Sequence, residues 1–220
     1  MKLTAFMMLA AISRVFGFQG FRLPLQRGAS RLMSKEVLVP IGTGSEEIET
    51  CCIADTLVRA GAEVTIASVE ESLQVTCSRG VKLVADELIA ACQDKEWDLV
   101  VCPGGMPGAE RLRDSAPLEK IIKAQHEKGA WLAAVCAAPA VVLASHGVLD
   151  GSTQATCYPA PAFTEKLGGG HDAESKVVVA GHVVTSQGPG TSLLFALQLV
   201  EQLFGPDKAD EIAAQMLVKR

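Results

Sequence analysis

From residue 36 onward, short and nearly unbroken apolar runs alternate with stretches in which apolar residues recur every three or four positions. The runs at 36–41, 63–68, 97–102 and 131–135 are of the first kind and predict buried strands. Between the first two, Ser45 reads as a helix N-cap, Glu46, Glu47 and Glu49 fill the first turn as the helix dipole prefers, and Gly61 is the stop. A strand, helix and strand in that order imply parallel pairing. Residues 73–76 and 81–84 predict a small antiparallel excursion, 85–93 a short helix, and 109–114 and 117–128 two further helices. After Val135, Cys136 stands at a turn, and Pro139 suits the first turn of a helix that Gly147 caps. Further on, 153–156 reads as a short strand and 159–167 as a loop or short helix. Residues 176–180 and 182–185 form a hairpin turning at Ala180-Gly181, Gly188-Pro-Gly190 is a break, and 192–203 and 206–219 are the closing helices. The whole predicts one α/β domain with a mainly parallel sheet covered on both faces.

Composition adds a boundary. Residues 1–33 hold Lys2, Arg14, Arg22, Arg27 and Arg31, no acid, and the apolar run from Ala5 to Ile12. That run is too short to span a bilayer, and the profile is one of targeting. A mitochondrial or plastid transit segment is the favoured expectation. A secretory or bipartite plastid signal and a cytoplasmic product starting at Met33 are the alternatives. Removing these five positive charges and no acids takes the net charge from −5 to −10. An acidic domain of that kind argues against nucleic acid or an anionic membrane as partner. Seven cysteines, without a C-x-x-C pair, predict reduced thiols with neither a structural metal nor a disulfide framework.

Open parallel sheets gather functional groups outside the carboxyl ends of their strands. Three candidates meet there: residues 42–49, the turn at Gly104-Gly105, and Cys136. A cysteine between a strand and a helix lies near free backbone N–H groups that favour thiolate, whereas the alternative is a cysteine that only fills the core. The amides of Gly104, Gly105 and Ala137 are candidate donors to an oxyanion. Glu49 is either a solvated helix acid or a buried carboxyl that keeps its proton, donates to the sulfur and lowers the thiol pKa.

Five segments, taken together, resemble the ThiJ/PfpI superfamily, in the branch of the parkinsonism-associated protein deglycase. They are Ser45-Glu-Glu-Ile-Glu-Thr50, Cys77-Ser-Arg79, Pro103-Gly-Gly-Met-Pro-Gly-Ala109, Ala133-Ala-Val-Cys-Ala-Ala-Pro139 and Ser186-Gln-Gly-Pro-Gly-Thr-Ser192. The resemblance covers roughly residues 35–218 and implies a flavodoxin-like three-layer sandwich with a nucleophile elbow, working as a homodimer without a cofactor. It implies that Cys136 is the nucleophilic and oxidation-sensing cysteine and Glu49 its protonated partner, with Gly105 and Ala137 as backbone donors. Arg79 matches an arginine reaching the pocket from across the dimer, and Tyr158 and Pro189 are further pocket candidates. The implied activities are a glutathione-independent glyoxalase acting on α-oxoaldehydes and a deglycase acting on glycated groups. A redox-sensing chaperone in which Cys136 becomes sulfinate is the alternative.

One departure matters. Tyr158 stands where some members carry a histidine, and none of His126, His146, His171 and His182 matches that site, so the expected partner of Cys136 is a glutamate. Ala137 also occupies the place of the histidine that follows the cysteine in peptidase members, which ranks a peptidase last.

Overall fold

Val, Leu and Ile alternate between two buried faces along each strand, and this alternation fixes the layers. The computed structural model describes residues 34–220, so the expected targeting segment lies outside the described residues. In chain order the elements are β1 (Glu36–Ile41), α1 (Glu47–Ala60), β2 (Glu63–Ser68), β3 (Gln74–Thr76), β4 (Lys82–Val84), β5 (Glu87–Leu88) and β6 (Leu99–Cys102). Next come α2 (Gly108–Arg113), α3 (Ala116–Glu127), β7 (Trp131–Val135) and α4 (Pro161–Thr164). The chain closes with β8 (Val177–Ala180), β9 (Val183–Ser186), α5 (Ser192–Phe204) and α6 (Pro206–Gln215).

Among the described residues, seven strands form one sheet in the order β5-β2-β1-β6-β7-β9-β8. Neighbours are parallel except for the β8–β9 hairpin. Val37, Val39, Leu99, Val101, Ala133 and Val135 point to the layer holding α1, α5 and α6. Leu38, Val100, Cys102, Leu132 and Ala134 point to the layer holding α2, α3 and the segment after Cys136. A period of two with both faces apolar is what a covered parallel sheet requires. β3 and β4 pair antiparallel as a separate ribbon.

Four expectations need correction. The cap of α1 is Glu46, whose carboxylate accepts the Glu49 N–H at 2.9 Å, because the Ser45 hydroxyl is occupied by the Gly42 N–H. Residues 85–93 contain a strand, β5, before a single 3-10 turn at Ile89–Cys92, since pairing with β2 outweighs local helix preference. Residues 153–156 contribute one bridge, Ala155 to His171, rather than a strand. After Cys136, Pro139–Leu143 is a π-helical turn in which the Ala144 N–H reaches the Pro139 carbonyl, and ordinary turns complete the path to Gly147.

Candidate active site

β7 stops at Val135, and Cys136 then takes a φ of 63°, a left-handed conformation that costs a residue with a Cβ on the order of 1–3 kcal/mol. The elbow is held from both sides. The Cys136 N–H donates to the Ser186 carbonyl at 3.0 Å, and the Tyr158 N–H donates to the Cys136 carbonyl at 2.8 Å. Close approach of the neighbouring loop requires a glycine, because a Cβ on Gly104 would lie 2.6 Å from the Cys136 Cβ.

Loops 42–49 and 102–105 are zipped together. The Glu46 N–H donates to the Gly104 carbonyl at 3.0 Å, and the Gly104 N–H donates to Glu49 Oε2 at 2.7 Å. Glu49 is fully buried, its Oε1 has no hydrogen-bond partner, and the Cys136 side chain is its electrostatic neighbour. Burial, opposed by the Gly104 N–H and the nearby Cys136 thiol, raises the carboxyl pKa to about 7.

With Glu49 ionised, burial first and then the adjacent carboxylate push the Cys136 thiol up to about 12, against the amides of Gly105 and Ala137, which lower it. A simply lowered thiol pKa is therefore not what the site provides. When the proton sits on Glu49 and the charge on sulfur, the carboxyl becomes a donor, the repulsion vanishes, and two amides face an anion. Gly105 and Ala137 line the cavity beside Cys136, whereas the Gly104 amide is committed to Glu49 and is not free for an oxyanion.

Cys136 opens on a cavity of about 450 Å³ whose walls include Arg79, Tyr158 and Pro189, together with Ile48, Met106 and Phe163. Arg79 reaches it within its own chain, on the turn between β3 and β4, so no partner subunit is needed to bring it there. Glu47 anchors that turn: its carboxylate accepts from the Ser78 hydroxyl and the Arg79 N–H, both at 2.9 Å. Burial acts to raise the Glu47 pKa, but these bonds and that of Val81 bring it below the usual value. The sequence reading missed this clamp because its partners lie some thirty residues away and leave no local signal.

None of the four histidines lines the cavity. His126 Nδ1 and His182 Nε2 meet at 3.1 Å beside the start of β7, and His146 is buried 3.9 Å from Glu119. Among the described residues, no group of three or more His, Cys, Asp or Glu is arranged to hold a metal, and no helix is long and apolar enough to cross a membrane.

The pattern of the DJ-1/PfpI family matches residues 35–202. The chain belongs to the DJ-1/PfpI family. This DJ-1/PfpI chain is 44% identical over 187 residues to Protein DJ-1 homolog B of Arabidopsis thaliana, an alignment covering 84% of the chain and 42% of that protein. The chain thus spans less than half the length of the two Arabidopsis relatives it matches. It is 34% identical to the glutathione-independent glyoxalase DJR-1.2 of Caenorhabditis elegans, over 76% of the chain and 88% of the relative. The solved structure of Toxoplasma gondii DJ-1, oxidized, superposes with a TM-score of 0.81 at 46% identity, covering 85% of this chain and all of that one. Together these establish the flavodoxin-like fold of the DJ-1 proteins.

Proposed function

We propose that this DJ-1/PfpI chain is a cysteine-dependent, glutathione-independent glyoxalase that converts α-oxoaldehydes such as methylglyoxal to 2-hydroxy acids. The observation that carries the reading is the buried Glu49 carboxyl beside Cys136, one of its oxygens without a hydrogen-bond partner and its pKa raised by burial to about 7. A group with that pKa takes up and returns a proton at neutral pH, with no histidine required. The relative named a glutathione-independent glyoxalase supports the same reaction class.

In the proposed sequence, Cys136 Sγ bonds to the aldehyde carbon while its proton passes through Glu49 to the aldehyde oxygen, giving a hemithioacetal. Glu49 then removes the hydrogen on that carbon as a proton and returns it to the adjacent carbon. The hydroxyl proton moves to the neighbouring oxygen, so the first carbon becomes a thioester carbonyl and the second an alcohol. Water cleaves the thioester, releasing the 2-hydroxy acid and restoring the thiol. One carbon is oxidised as its neighbour is reduced, so the reaction needs no external oxidant. The amides of Gly105 and Ala137 stabilise the transient oxyanion, by about 3 kcal/mol each where well aligned. Glycated groups, which present related carbonyls, are the second substrate class of the proposal. A homodimer joined through α1 belongs to it as well, supported by the exposed Ile48 and Val58, and is read by sedimentation.

The purified full-length chain is expected to form lactate from methylglyoxal without glutathione, and Cys136→Ser to abolish this. Turnover persisting in that variant would overturn the reading.

A redox-sensing role is the second reading, favoured by the amides of Gly105 and Ala137 at the sulfur, which suit sulfinate oxygens. It predicts that mild peroxide oxidises Cys136 before Cys51 or Cys77, and mass spectrometry showing the reverse order sinks it. A peptidase is the weakest reading, with Ala137 after the cysteine and no imidazole in the cavity.

A further inference from the structure

We infer that the cavity beside Cys136 selects α-oxoaldehydes carrying a bulky apolar substituent, an aromatic ring above all, and that Tyr158 and Phe163 set this preference. The inference rests on the glyoxalase reading for the reactive end of the substrate and assigns what lies at the other end.

Size is the first observation. A water molecule takes about 30 Å³ of liquid, so a substrate of a handful of heavy atoms, such as methylglyoxal, leaves most of a cavity of about 450 Å³ to solvent. Volumes of this order normally enclose larger organic ligands. The walls are the second observation. Met106 and Tyr158, both among the large apolar side chains left exposed, line this one cavity around the sulfur. Keeping that much apolar surface wet at one place is unfavourable unless a ligand covers it.

Aromatic geometry sharpens the class. The rings of Tyr158 and Phe163 meet edge-on, with centroids 6.4 Å apart and planes at 83°, the arrangement to which a third ring adds favourably. The main chain that carries both rings is tied to the elbow. The Tyr158 N–H is bonded to the Cys136 carbonyl, and the Phe163 N–H donates to the Ala160 carbonyl at 2.9 Å. Pro159 and Pro161 stiffen the segment between them. The polar side chains of the lining are Glu46, at the start of α1, and Ser78 and Arg79, from the separate β3–β4 turn.

Two measurements on the full chain test this. First, kcat/KM for phenylglyoxal over methylglyoxal is expected to exceed tenfold and to fall about tenfold in Tyr158→Ala and in Phe163→Ala, with Tyr158→Phe keeping the wild-type ratio. A ratio unchanged in both alanine variants overturns the inference, as does a Tyr158→Phe variant behaving like Tyr158→Ala. Second, the rate of Cys136 alkylation by N-benzyliodoacetamide relative to iodoacetamide is compared with the same ratio for free cysteine in solution. This needs no turnover and does not touch arginine. The Cys136 ratio is expected to be about tenfold the higher and to collapse in the alanine variants, and equal ratios for Cys136 and free cysteine refute the preference. If neither aldehyde is turned over, the glyoxalase reading fails while the alkylation ratio still decides this one.

Discussion

Cys102 and Cys136 lie at the ends of adjacent strands. Cys102 pairs in register with Ala134, only two residues short of Cys136. Cys102 is the last residue of a regular strand, fully buried, and burial alone pushes its thiol up to about 12. Cys136 reaches a similar value with burial again the largest cause, but there the charge of Glu49 adds to the push and two amides oppose it. A thiol raised by burial stays protonated unless the protein opens. Where a neighbour's charge adds to the push, that share is removed when a single proton moves onto the neighbour. The left-handed turn that lifts Cys136 out of the strand is what separates the two cases.

The contrast is most severely broken by Gly104→Ala. The added Cβ would sit 2.6 Å from the Cys136 Cβ and 2.8 Å from the Val135 carbonyl oxygen, so the elbow must shift. Turnover is expected to be lost and unfolding free energy to fall by about 3 kcal/mol in urea titrations.

Glu49→Gln sharpens it, because the proton-accepting neighbour becomes neutral at every pH. Methylglyoxal turnover should fall about 100- to 10,000-fold, and the alkylation midpoint of Cys136 should move down. Stability carries the same signature. The folded pKa of Glu49, about 7, lies above the ordinary 4.5, so between these values the folded state binds more protons than the unfolded one. Stability therefore falls as pH rises through that window, by roughly 3 kcal/mol at its upper end. His146 and His182, with pKa values lowered first by burial, act in the opposite sense below about 6.5. The informative quantity is thus the change in melting temperature between pH 5 and pH 8, wild type minus Glu49→Gln. It should be about 6–12 °C more negative for the wild type, and parallel curves would contradict the assigned pKa.

Cys102→Ala is the mildest test. It should cost about 1 kcal/mol and leave turnover and the alkylation pattern of Cys136 unchanged.

Much of this site could be read from the chain because its parts are punctuated locally. Apolar runs ending in Gly42, Gly104 and Cys136 marked three strand ends, and Gly61 ended α1 as expected, in a left-handed conformation with φ 99°. What escaped was set by partners distant in sequence. β5 is two residues long and exists because Ala67 and Ser68 of β2 offer it a parallel edge. Glu46 takes the cap from Ser45 because the Gly104 carbonyl holds its backbone in place. The direction of the Gly104 amide, toward Glu49 and away from the open cavity, follows from a strand pairing that no local pattern encodes.

The clamp made by Glu47 has a further consequence. The turn carrying Ser78 and Arg79 is fastened to the rest of the molecule by one carboxylate and by main-chain bonds, Ser78 N–H to the Ser45 carbonyl and Gly44 N–H to the Thr76 carbonyl. Such fastenings are indifferent to most side chains at positions 79–82, and the sulfur's own surroundings come from other loops. The wall carrying Ser78 and Arg79 is therefore separable from the machinery at the sulfur: evolution, or a designer grafting a new turn onto Glu47, can redraw it while inheriting the cysteine and its glutamate intact.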